Sequence, residues 1–165
     1  MAVGGLKLSI ATLWTRLVRN IGAHWETSLG AGPDDGVVPQ CHHLSVATTV
    51  LIVDDHHGFR ARARALLESE GYAVVGEAMD GASAVASAEL LRPDVVILDV
   101  VLPDATGFKV TERLGRLERT PRVILVSTGE ASDFGGLLES SAALGFIPKP
   151  ELSGPRLREL LGGTP

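Results

Sequence analysis

Four short apolar runs punctuate the chain between residues 50 and 148: Val50-Leu51-Ile52-Val53, Val95-Val96-Ile97-Leu98, Val123-Ile124-Leu125-Val126 and Gly145-Phe146-Ile147-Pro148. Runs of this length, bounded by turn signals, predict buried parallel strands. A fifth strand is predicted over residues 72–78. Between the strands the spacing changes to that of helices. Phe59, Ala63, Leu66 and Leu67 mark one face of a helix over residues 56–69, with Gly71 as its stop. An alanine-rich helix over 82–91 is ended by Arg92-Pro93. A third helix is predicted over 108–117, and a fourth between 132 and 144, weakened by Gly135-Gly136. Ser153-Gly154-Pro155 opens a last helix whose Leu157, Leu160 and Leu161 face inward.

Five βα units in succession demand a parallel sheet with helices on both faces. Pro148 lies in the fifth strand and cannot donate to a ladder, so that strand belongs at an edge. The doubly wound, flavodoxin-like (βα)5 order 2-1-3-4-5 puts it there. The same order sets the first and third strands side by side at the switch point, beyond whose carboxyl ends ligands bind.

What stands at those ends is chemically loaded. The first strand runs into Asp54-Asp55, the third into Asp99, the fourth into Ser127-Thr128 and the fifth into Lys149. Three carboxylates in one pocket repel one another unless a cation is present. Hard oxygen donors favour Mg²⁺ or Mn²⁺ over zinc. A carboxylate can also attack phosphorus to form an acyl phosphate, with an ammonium and a hydroxyl to take up charge. Asp99, ending the central strand, is the preferred nucleophile. Taken singly, each residue has a plainer explanation: Asp55 as a helix N-cap, Asp99 as a turn carboxylate, Lys149 as a solvated charge. Independent explanations do not account for all of them ending strands of one sheet.

Composition narrows the setting. The net charge of −5 falls outside the first 47 residues, where basic and acidic side chains balance. An acidic domain without a basic stripe is a poor candidate for direct nucleic-acid binding. Cys41 is alone, which excludes an internal disulfide and suits a reducing cytoplasm. No stretch reaches the roughly 18 apolar residues of a membrane span. Leu6, Ile10, Leu13, Leu17 and Ile21 recur at helical spacing, and residues 30–39 read as a linker. Residues 1–47 are thus expected to be an extension: a misplaced start, a disordered tail or a short amphipathic helix. Residues 48–162 are expected to form the working domain. His42-His43, His56-His57 and Cys41 lack the two-to-four-residue spacing of zinc ligands.

The segments Val-Leu-Ile-Val-Asp-Asp-His (50–56), Ile-Leu-Asp-Val-Val-Leu-Pro-Asp-Ala-Thr-Gly (97–107) and Gly-Phe-Ile-Pro-Lys-Pro (145–150) together resemble the signature of the receiver domain of bacterial two-component response regulators. The resemblance covers about residues 49–161. It implies that Asp99 accepts a phosphoryl group from a sensor histidine kinase or phosphotransfer protein. It further implies Mg²⁺ bound by Asp55, Asp99 and the Val101 backbone carbonyl, with Asp54 acting through water. Ser127 and Lys149 would contact the phosphoryl group, and the Lys149–Pro150 bond would be cis. Phe146, otherwise a plain strand-core aromatic, would turn as Ser127 moves, changing the face of the fourth helix, fifth strand and fifth helix. Downstream proteins, or a second copy in a homodimer, would read that face. Thr106 and Val101 depart from the commoner residues at their positions, and Val101 leaves phosphate lifetime open. With 16 residues after Lys149, a stand-alone receiver is expected, not an enzyme turning over a metabolite. Two alternatives stay open: a Mg²⁺-dependent phosphatase working through an aspartyl phosphate, disfavoured by Val101, and a receiver-like scaffold that is never phosphorylated.

Overall fold

The computed structural model of the protein describes residues 47–162. Expectations for the N-terminal extension, including Cys41 and His42-His43, fall outside the described residues. The strands are β1 (Thr49–Val53), β2 (Ala73–Ala78), β3 (Val95–Asp99), β4 (Arg122–Ser127) and β5 (Gly145–Pro148). The helices are α1 (His57–Ser69), α2 (Gly81–Leu91), α3 (Gly107–Leu114), α4 (Gly136–Ser140) and α5 (Gly154–Leu160). All strand pairs are parallel, in the order β2-β1-β3-β4-β5. This is the flavodoxin-like arrangement, with Pro148 on an edge strand as its chemistry requires.

Alternation along the strands divides the core in two. Val50, Ile52, Val95, Ile97, Ile124, Val126 and Ile147 point to one face, where they meet Phe59, Ala63 and Leu67 of α1 and Leu157 of α5. Leu51, Val53, Val96, Leu98, Val123 and Leu125 point to the other, against Ala84 and Ala88 of α2 and Val110 and Leu114 of α3. Successive side chains on a strand alternate in direction, so a sheet covered on both faces needs continuous apolar runs. That is why these strands show no polar alternation in sequence.

Register then delivers the strand ends to one rim. Val53 is paired with Leu98, so the next residues, Asp54 and Asp99, emerge side by side. Asp99 is level with Val126, and Ser127 with Pro148, which leaves Lys149 one step beyond.

Several helix boundaries differ from expectation. Helix α2 begins at Gly81 because Asp80 caps it, accepting the Ser83 N–H at 2.7 Å. Asp104, from the loop after β3, accepts the Gly81 and Ala82 N–H groups at 2.7 and 3.0 Å. These bonds tie α2 to the loop beside Asp99. Helix α3 stops at Leu114, three residues early, where Arg116 and Leu117 turn back onto the carbonyls of Arg113 and Leu114. The fourth helical region is the most reduced. Gly135, at φ +44°, separates a 3-10 turn (Ala131–Asp133) from the five-residue α4. A left-handed φ of this kind favours glycine and interrupts a helix.

Candidate phosphoryl and cation site

Asp54 and Asp99 are buried at the ends of β1 and β3. The Lys149 ammonium, reaching back from the end of β5, lies 2.6 Å from Asp54 Oδ2 and 2.8 Å from Asp99 Oδ2. Residues separated by about fifty positions in sequence thus form one triad. Asp99 Oδ1 accepts the Val101 N–H at 3.4 Å. Asp54 Oδ1 accepts the His56 N–H at 2.8 Å, while its Oδ2 is paired with Lys149 by charge without an aligned hydrogen bond. Asp55 is half exposed and carries no capping bond to α1; its Oδ1 meets His56 Nδ1 at 2.5 Å. The N-cap explanation of Asp55 therefore falls away, since His56 occupies that position without a side-chain cap.

Electrostatics follow from burial and crowding. Burial is the largest influence on Asp99 and pushes its carboxyl up; Lys149 opposes this and neighbouring Asp54 adds to it, leaving a net rise. Burial alone would lower the Lys149 ammonium, yet its contacts with Asp54 and Asp99 outweigh that and hold it above the ordinary lysine value. One ammonium is shared by two carboxylates, Asp54 and Asp99, so negative charge is left over. That excess, together with an all-oxygen carboxylate set in which Asp54 Oδ2 accepts no aligned hydrogen bond, fits a hard divalent cation. Ligand atoms of Asp54, Asp55 and His56 lie within 4.8 Å of one another.

The triad opens on a cleft of about 990 Å³ lined by Asp55, Asp99, Val101, Ser127 and Lys149 on one side and by α1 on the other. Ser127 is buried, its Oγ accepting the Gly129 N–H at 3.2 Å. Phe146 is not part of this cleft. Its ring, partly buried, stacks at a tilt on Phe134, with centroids 5.6 Å apart, and Phe134 in turn on Phe108. The Lys149–Pro150 bond is trans, contrary to expectation. Residues Lys149–Glu151 form a single 3-10 turn closed by the Leu152 N–H on the Lys149 carbonyl, and the fixed φ of a trans proline suits such a turn.

Two neighbours of the site carry no motif. Phe59 was legible only as an apolar position on α1, yet the Lys149 ammonium stands over its ring, 4.9 Å from the centroid. Arg60 follows it and donates to the backbone carbonyls of Asp54 and Asp55 at 2.6 and 3.2 Å. Position on the first turn of the helix after the acidic pair is the only available signal for either.

The family model of the response regulator receiver domain matches residues 50–161. The chain belongs to this family, a component of two-component systems. It is 38% identical over 112 residues to a transcriptional regulator of Pseudomonas aeruginosa, an overlap covering 68% of this chain and 52% of that protein. It is 35% identical over 101 residues to the DNA-binding transcriptional activator EvgA of Escherichia coli K12, covering 61% and 50%. The chain thus spans about half the length of the curated relatives it matches. Among solved structures, the signal receiver domain of NarL from Mycobacterium tuberculosis aligns with a TM-score of 0.61 at 33% identity, covering 71% of this chain and 98% of that one. The response regulator domain of Thermotoga maritima CheB aligns with a TM-score of 0.60 at 30% identity, covering 72% and 99%. Among the described residues no helix is long and apolar enough to cross a membrane.

Proposed function

We propose that residues 48–162 form a phosphorylation-controlled receiver in which Asp99 accepts a phosphoryl group from a phosphohistidine of a cytoplasmic histidine kinase or phosphotransfer protein. The observation that carries this reading is Lys149 Nζ, 2.8 Å from Asp99 Oδ2 at the mouth of an open cleft. An Asp99 oxygen attacks phosphorus. As the new P–O bond forms, the P–N bond of the phosphohistidine breaks, and the imidazole leaves with the electron pair to be protonated. Lys149, released from its ion pair with Asp99, is placed to hold a phosphoryl oxygen, and the Ser127 hydroxyl to hydrogen-bond another. Asp55, Asp99 and the Val101 carbonyl would hold Mg²⁺, with Asp54 in its outer shell; when bound, the cation offsets charge on the transferring group.

Phosphorylation would be read out through Ser127 and Phe146. A Ser127 hydroxyl drawn toward phosphate leaves room for the Phe146 ring to turn away from Phe134 and alter the α4-β5-α5 face. A downstream protein or a second copy of the chain would recognise that face. The acidic balance of residues 48–162 argues against this unit itself contacting DNA; DNA binding in EvgA belongs to a protein of which the match covers half.

The test is incubation of the full chain with acetyl phosphate and Mg²⁺, followed by intact-mass measurement. One labile phosphoryl group should appear on the wild type and none on Asp99→Ala. Continuous phosphate release from unrelated monoesters would instead favour a phosphatase, and an unmodified wild type would favour a scaffold.

A further inference from the structure

The geometry points to Arg60 as the positioning residue of the cation site, acting through the backbone of the acidic turn. This inference rests on the cation-binding reading above and deepens it. Arg60 Nη1 donates to the Asp54 carbonyl at 2.6 Å and to the Asp55 carbonyl at 3.2 Å. Its Nε donates to Glu77 Oε2 at 3.1 Å, across on the outer strand β2. The Arg60 side chain is 12% exposed, so these bonds act with little competition from water. On the opposite side of the same turn, the His56 N–H closes onto Asp54 Oδ1 at 2.8 Å. One peptide plane is thus held through its carbonyl and the next through both its carbonyl and its N–H. The directions in which the Asp54 and Asp55 side chains leave the backbone are then set before any cation arrives.

Asp55 has most to lose without this clamp. It is 41% exposed, and among the described residues its one side-chain hydrogen bond is with His56, itself exposed. The clamp is anchored in turn: Glu77 Oε1 accepts from Arg64 Nε at 2.7 Å, so the Glu77 carboxylate is shared between two arginines of α1. Among the described residues Arg64 makes no hydrogen bond to the acidic turn; its remaining bonds go to Glu68 and the Val74 carbonyl. Arg60 and Arg64 therefore tie the same helix to the same strand, and only Arg60 also holds the turn. A lysine at position 60 keeps the charge but lacks the fork that reaches two carbonyls and a carboxylate together.

Outer-shell partners of this kind typically change metal affinity by 10–100-fold. The test is isothermal titration of the full-length chain with Mg²⁺, comparing wild type with Arg60→Met, Arg60→Lys, Arg64→Met and Asp55→Asn. Arg60→Met should raise the Kd about tenfold or more, Arg60→Lys by less, and Arg64→Met by under about twofold even where it lowers the melting temperature. Amide exchange at His56 should quicken in Arg60→Met and stay slow in Arg64→Met. An unchanged Kd in Arg60→Met overturns the inference, as does an equal rise in Arg64→Met, which would make the effect a general loosening of α1 on β2. Should Arg60→Met fail to fold, an unchanged Kd in Arg60→Lys overturns it equally. Loss of Mg²⁺ binding in Asp55→Asn together with no effect at position 60 defeats this inference alone. Unaltered binding in Asp55→Asn defeats the cation reading on which it rests.

Discussion

Desolvation makes the charged form of Asp99 unfavourable in the native protein, and Lys149, shared with Asp54, only partly restores it. A carboxyl whose native pKa is raised contributes stability that is present below its unfolded pKa and is lost as pH rises through the native value. Ionised Asp99 is therefore destabilising near neutral pH. Replacing it with asparagine leaves Asp54 and Lys149 as a balanced pair, and Asp99→Asn should melt higher than wild type near neutrality. The gap should narrow as the medium is acidified through the raised native pKa. Thermal melts across pH check this, and a variant that melts lower near neutrality contradicts it. On the proposed function, such a residue is kept for chemistry at the expense of stability. At this scale the sequence was legible wherever a side chain ended a strand, as with Asp54, Asp99 and Lys149. It was silent on Phe59 and Arg60, because their roles depend on what α1 packs against and not on any spacing.

Among the connecting elements, the turn from β3 into α3 packs closely against main-chain atoms. Gly107 opens α3, and a Cβ there would stand 2.5 Å from the Asp99 carbonyl oxygen and 3.0 Å from Val100 Cα, both main-chain atoms. Backbone cannot yield as a flexible side chain can. Gly107→Ala should destabilise by about 1–3 kcal/mol, the usual range for overpacking, and should slow phosphorylation of the residue whose carbonyl it displaces. Gly58, in the first turn of α1, has nothing within 4 Å of its Cβ position. Gly58→Ala should be stabilising, by up to about 1 kcal/mol from helix propensity. Denaturant titration of the two variants gives opposite signs if the packing is as described. Helix boundaries were the least legible elements. Gly135-Gly136 signalled weakness in the fourth helix, and the structure turns that weakness into a break. The early end of α3 depends on Arg116 and Leu117 folding back onto the last-turn carbonyls, a contact that apolar spacing does not encode.

For the molecule as a whole, the order β2-β1-β3-β4-β5 follows from two legible facts: βα repetition and a proline in the last strand. Register completes the site, since Val53 beside Leu98 and Asp99 beside Val126 bring distant side chains to one rim. The proposed function at this scale is linkage between cation, phosphoryl group and fold. A ligand at a hundred times its Kd stabilises the native state by about 2.7 kcal/mol. Saturating Mg²⁺ should accordingly raise the melting temperature of the wild type and leave that of Asp55→Asn unmoved, as calorimetry would record. The output face should respond to phosphorylation alone. Phe146→Ala should leave the yield of phosphorylated protein unchanged while abolishing phosphorylation-dependent shifts in amide spectra of α4 and α5.

Borohydride trapping asks most directly which atom receives the phosphoryl group. An acyl phosphate formed with acetyl phosphate and Mg²⁺ is reduced to an alcohol, which converts the modified aspartate into homoserine. Peptide sequencing by mass spectrometry should find homoserine at position 99 and nowhere else. Homoserine at position 54 or 55, or none in wild-type protein under conditions that trap a known acyl phosphate, would contradict the assignment of Asp99.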